Sequence, residues 1–121
     1  AAQGHHAAAA DAYLRRASDP RARVAALLRR AQLLAGPLGQ PHAAVAELEQ
    51  LQRDANRLDA TDDMRLGLAL TELYEQKLAD PGRALVELRR LIDRYPDARQ
   101  ARDLRLLLGA LRAQHFADAN P

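Results

Sequence analysis

The chain has no cysteine and no tryptophan. Disulfides, thiolate catalysis and cysteine-ligated zinc are therefore excluded, while both a reducing cytoplasm and an oxidising bacterial periplasm remain open. Aromatic residues amount to three tyrosines and one phenylalanine. Single-stranded nucleic acid is usually held on aromatic platforms beside basic groups, and here Tyr13, Tyr74 and Tyr95 fall on apolar stripes instead. Charge of one sign is lacking as well, since 18 Lys and Arg nearly cancel 16 Asp and Glu, leaving +2. An isoelectric point near 9.5 then reflects arginine's high pKa rather than a basic field, and nucleic acid is not an expected partner. No apolar run approaches the ~18–20 residues of a membrane span. Ala7 to Ala10 is too short, and lacks the basic flank, for a signal peptide. Membrane insertion by this segment is not expected.

What the chain has is alanine, leucine and arginine, a mixture of small and unbranched side chains that favours helix. The same arginine-rich composition resembles that encoded by GC-rich bacterial genomes. An all-α chain of 121 residues, one domain with a small continuous core, is the expectation. Its organising stretch is Leu66 to Asp97. Leu66, Leu70, Leu73, Tyr74 and Leu78 recur at helical spacing, as do Ala84, Leu85, Leu88, Leu91, Ile92 and Tyr95. Between them Asp80 can cap a helix that Pro81 opens, and Tyr95-Pro96 ends it.

The pattern recurs at an offset of 40 residues. Pro41, Ala44, Glu47, Leu48 and Leu51 meet identical residues at Pro81, Ala84, Glu87, Leu88 and Leu91, and Leu28, Leu33 and Leu38 meet Leu68, Leu73 and Leu78. A helix pair repeating at this period is the mark of an α-solenoid.

These residues resemble the tetratricopeptide repeat family in a lengthened form, over roughly residues 4 to 112. In that family a small residue on the second helix permits close approach, as at Ala44 and Ala84. A large residue four positions later fills the cleft, as at Leu48 and Leu88, and a proline closes the unit, as at Pro96. Leu70 and Tyr74 stand at its large first-helix positions. The chain departs from the pattern at Gly67, where a bulky residue is usual, at Asn56 in place of the closing proline, and at Arg30 opposite Leu70. The Tyr-Pro-Asp ending also resembles repeats of bacterial envelope lipoproteins.

Along the chain, the spacing predicts helices over Gly4 to Ala17, Pro20 to Ala35, Pro41 to about Leu58, Asp62 to Ala79, Pro81 to Arg94, and from an Asp97/Gln100 capping box to about Gln114. In the first, Ala8 or Ala9 takes the small-residue position. Residues 19–58 and 59–97 form full units, and 4–18 and 98–114 form half units or caps. A chain that opens and closes within a unit reads either as a piece of something longer or as one whose outer helices are the caps.

No constellation of catalytic residues emerges. His5 and His6 are adjacent and diverge on a helix, and His42 and His115 lack a partner at ligand spacing, so no metal site and no cofactor are expected. Ser18, Thr61 and Thr71 have no His or Asp at suggestive spacing. Glu72 and Glu75 share a face, but paired carboxylates need a dry cleft for acid–base work. Asp11 with Arg15, Glu49 with Arg53 and Glu87 with Arg90 read as surface pairs, and Arg29-Arg30 and Arg89-Arg90 as solvated faces. No enzymatic role is expected.

The resemblance implies a groove lined by the first helices of successive units. That groove would hold Leu28, Gln32, Arg65, Leu68, Glu72 and Glu75, extended on the last helix by Arg102, Arg105 and Arg112. The three arginines suit an acidic protein or peptide partner. A structural spacer or dimerisation segment of a larger bacterial protein, of the envelope or elsewhere, is the alternative. On the last helix Leu104, Leu108 and Leu111, broadened by Leu107, point inward, while Leu106, Ala110 and Ala113 make a second stripe. Leu106 and Ala110 are therefore expected to meet a second copy of the chain, as a homo-dimer, or a further segment.

Overall fold

A computed structural model describes residues 6–9, 11, 20–54 and 58–116. The fold is all-α and helical-repeat-like, with no strand among the described residues. Helix α1 is Pro20–Ala35, α2 Pro41–Asp54, α3 Ala60–Glu72, α4 Pro81–Arg94 and α5 Ala101–Phe116. Helix α3 runs on into a π-helical turn, Leu73–Lys77. Residues 6–9 and 11 are also helical, with Ala8 exposed and Ala9 half-buried. Tyr13, Arg15, Ser18 and Asn56 lie outside the described residues.

Two antiparallel pairs, α1 with α2 and α3 with α4, lie side by side, and α5 packs on α4. Two backbone hydrogen bonds recur at the 40-residue offset at the two corners. The Leu38 amide donates to the Leu33 carbonyl and Leu78 to Leu73, each at 3.0 Å. Gln40 donates to Leu34 at 2.6 Å and Asp80 to Tyr74 at 2.7 Å, bonds that fold the chain back over the preceding turn. The residue between is left-handed in both, Gly39 at φ 62° and Ala79 at φ 50°.

The core repeats in the same register. Val24 and Met64, Ala31 and Thr71, Leu34 and Tyr74, Ala44 and Ala84, and Leu48 and Leu88 are all buried. The alanines let the paired helices close, and the leucines a turn later fill the space between them. Gly67 has its reason here: a Cβ would lie 2.7 Å from Leu91 Cδ1 and 2.9 Å from Glu87 Oε1. The bare backbone is what admits α4 so closely.

Several boundaries differ from expectation. Helix α2 is described from Pro41 to Asp54, and Leu58, expected near its end, is not helical. Helix α3 starts earlier, at Ala60, because the Asp59 side chain accepts from the Asp62 amide at 2.8 Å and caps it. The last helix starts later, at Ala101: residues 96–100 form turns, with Ala101 donating to Ala98, and the Asp97/Gln100 capping box does not form. The expected corner cap is present, Asp80 Oδ1 accepting from the Arg83 amide at 3.2 Å.

Candidate functional site

The first helices of the two pairs, α1 and α3, leave an open groove of about 670 Å³ between them. Its floor is apolar, built from Leu28, Ala31, Leu48, Leu68 and Leu73. Leu48 comes up from α2 and is fully buried, so the second helix of the first pair closes the bottom. The edges carry Arg29, Gln32, Arg65, Glu72 and Lys77. Three cations and one carboxylate thus line an apolar trough, Arg29 from α1 and the others from α3 and its π turn, a field that attracts negative charge. Arg29 Nη1 donates to Gln32 Oε1 at 3.2 Å, and Arg65 reaches only a distant 3.8 Å from Asp62. Contacts this long, made by exposed arginines, hold the guanidinium groups weakly and leave them available to an incoming carboxylate.

Five of the expected residues, Leu28, Gln32, Arg65, Leu68 and Glu72, come together in this groove. The others do not. Glu75 turns toward α5, 3.5 Å from His115 Nε2. Arg102, Arg105 and Arg112 are exposed on α5, which buries Leu104 and Leu111 and packs on α4 rather than extending the trough. Arg105 instead donates to the Pro96 carbonyl at 3.4 Å. Sequence reading also missed Arg29 and Lys77. Arg29 sits one residue from Leu28 and reads as an ordinary solvated side chain. Lys77 reaches the groove through the π turn, which has no signature in composition.

A second cluster lies beneath the far side of α3. The Asp63 carboxylate accepts from Arg90 at 2.9 and 3.1 Å and from the Tyr95 hydroxyl at 2.6 Å. Arg90 also donates to Glu87 at 2.8 Å, and Glu87 accepts from Gln52 at 2.9 Å. Glu87 and Asp63 are buried, so Glu87–Arg90 is not a surface pair but part of a network joining α2, α3 and α4. Burial pushes the Asp63 carboxyl up, yet hydrogen bonds from Arg90 and Tyr95 outweigh it and hold the group below the ordinary carboxylate range.

The other arginine pairs are rearranged too. Arg30 pairs with Glu47 at 2.8 Å and with Asp11. Glu49 pairs with Arg83 at 3.0 Å, whose guanidinium lies 4.5 Å from the Tyr74 ring centre. These long-range partners lie where helices cross, and only Glu87–Arg90 among the expected same-helix pairs is kept among the described residues. The Thr71 hydroxyl, buried, donates to the Gly67 carbonyl at 2.8 Å. No buried side-chain polar atom among the described residues lacks a partner, and no cluster of three His, Asp or Glu at metal-binding distance occurs among them. No protein-family model matches the chain, and neither a curated protein nor a solved structure does.

Proposed function

We propose that the protein is a non-catalytic interaction scaffold of the tetratricopeptide type, whose α1/α3 groove receives an acidic, amphipathic segment of a partner protein. The observation that carries this reading is the groove itself: an apolar floor edged by Arg29, Arg65 and Lys77 against Glu72 alone. Apolar side chains of the partner would fill the floor, and its carboxylates would take the guanidinium and ammonium donors. The recurrence of Ala44 and Leu48 at Ala84 and Leu88, with the same corner bonds, supports the family resemblance.

A photo-crosslinking amino acid placed at Leu68 tests it in the living cell, with the same group at Val86, 70% exposed on the outward side of α4, as control. A discrete partner captured from position 68 and not from 86 is the expected result. Capture of the same species from both positions, or of none from 68, contradicts it. The second reading, a structural spacer or assembly segment, is favoured by the exposed leucines of α5.

A further inference from the structure

Helix α5 repeats the sequence of α3, and among the described residues no helix covers its outer face as α4 covers that of α3. Asp63-Met64-Arg65-Leu66-Gly67-Leu68 and Asp103-Leu104-Arg105-Leu106-Leu107-Leu108 are related by the 40-residue offset, with the Asp, the Arg and both outer leucines identical. Leu104 and Leu111 are buried like their counterparts Met64 and Thr71. The opposite side differs. Leu66 and Leu70 have no exposed surface, and Gly67 beside them lies against Leu91 and Glu87, so this is the side that α4 covers. Their counterparts on α5 stand open, Leu106 at 65% and Leu107 at 39% exposure, with Ala110 exposed. Asp63 is held by Arg90 at 2.9 Å, whereas Asp103 is exposed and meets no cation among the described residues.

We infer that the outer face of α5 is a docking surface for an amphipathic helix of the α4 kind, supplied by another protein. The chain itself displays what fits: a helix running antiparallel, with a leucine ridge and one arginine placed as Arg90 is, to take the carboxylate of Asp103. The face also sets its own selectivity. Leu107 stands where Gly67 admits Leu91, so the incoming helix carries a small residue at the Leu91 position. Ala110 stands where Leu70 is, so a larger side chain fills the space against it. A folded second copy of this chain does not offer such a helix, because Ala84, Leu88 and Leu91 of α4 are closed over its own α3 with no exposed surface. The face is separate from the groove, which no residue of α5 lines.

The test uses the whole chain and a fluorescent synthetic peptide with the sequence of residues 79–97 carrying Leu91→Ala, followed by anisotropy. Saturable binding is expected, weaker by about tenfold for the peptide that keeps Leu91. Leu106→Glu in the chain, an exposed position whose fold is checked by circular dichroism, should lose at least about 100-fold. Arg90→Ala in the peptide should weaken binding about fivefold to the original chain and not at all to Asp103→Ala, the coupling expected of a direct pair. No saturable binding, or binding indifferent to Leu106→Glu, overturns the inference. So does a concentration-dependent dimer of the chain alone that Leu106→Glu abolishes, which would give the face to a second copy.

Discussion

Three helices meet at the carboxylates of Asp63 and Glu87. Arg90 bridges the two, Gln52 and Tyr95 complete the set, and the arrangement ties α2 and α3 to α4 through side chains alone. Arg90 is partly exposed and keeps Glu87, so Asp63→Ala, which removes the charged hydrogen bonds from Arg90 and Tyr95, should cost about 2 kcal/mol in denaturant unfolding. The depressed pKa of Asp63 gives a pH signature. Its contribution is complete above the unfolded-chain value of about 3.9 and is lost as pH falls through the lower folded value. The midpoint of the original chain should therefore drop in that acid range more steeply than that of Asp63→Ala. At Ala84, which has no exposed surface, the replacement Ala84→Leu should overpack the α3/α4 crossing and cost about 1–3 kcal/mol. An unchanged melting midpoint would show that the register of the repeat is misread. Ala84 was legible from the repeat, whereas the carboxylate network is not visible in local spacing: Glu87 and Arg90 three apart look like any surface pair, and the partner that joins them to α3 is Asp63, 27 residues from Arg90.

At the scale of elements, punctuation was what the sequence made legible. Helix α4 begins at Pro81 and ends at Arg94 as Asp80-Pro81 and Tyr95-Pro96 require, and α1 ends at Ala35 before Gly36-Pro37. Where no such residue stands, the reading slipped. The π turn at Leu73–Lys77 inserts no special residue, and Ala79 takes a left-handed conformation that alanine does not advertise. Gly39 holds the equivalent place in the first pair. Ala79→Gly should thus stabilise the chain by about 0.5 kcal/mol, the relief of a left-handed Cβ less the added freedom of the unfolded glycine. Thermal unfolding of the single variant measures it. Gly67 behaves in the opposite way. Gly67→Ala gains about 1 kcal/mol of helix propensity, but its Cβ would meet Leu91 and Glu87 at under 3 Å. Overpacking of about 1–3 kcal/mol should win and lower the melting midpoint.

For the molecule as a whole, the repeat determined which residues could share a groove and α5 determined where it ends. Leu28, Gln32, Arg65, Leu68 and Glu72 were legible because the helical period and the 40-residue offset place them on one side of successive first helices. Arg102, Arg105 and Arg112 extrapolated that register one helix too far, since α5 lies on α4 and presents them to solvent. No spacing rule carries that information, because the angle at which one helix pair meets the next depends on packing across the core. Binding of acidic, amphipathic segments in the α1/α3 groove, as proposed, can be measured by selecting helical peptides displayed on phage against the immobilised chain. The selected peptides should be enriched in Asp and Glu beside a ridge of Leu, Ile or Phe. They should lose binding to Leu68→Glu and to the combined Arg29→Glu, Arg65→Glu and Lys77→Glu variant, and keep it against Leu106→Glu. Peptides with no acidic enrichment, or peptides that bind Leu68→Glu as well as the original chain, would show that the groove does not bind acidic segments.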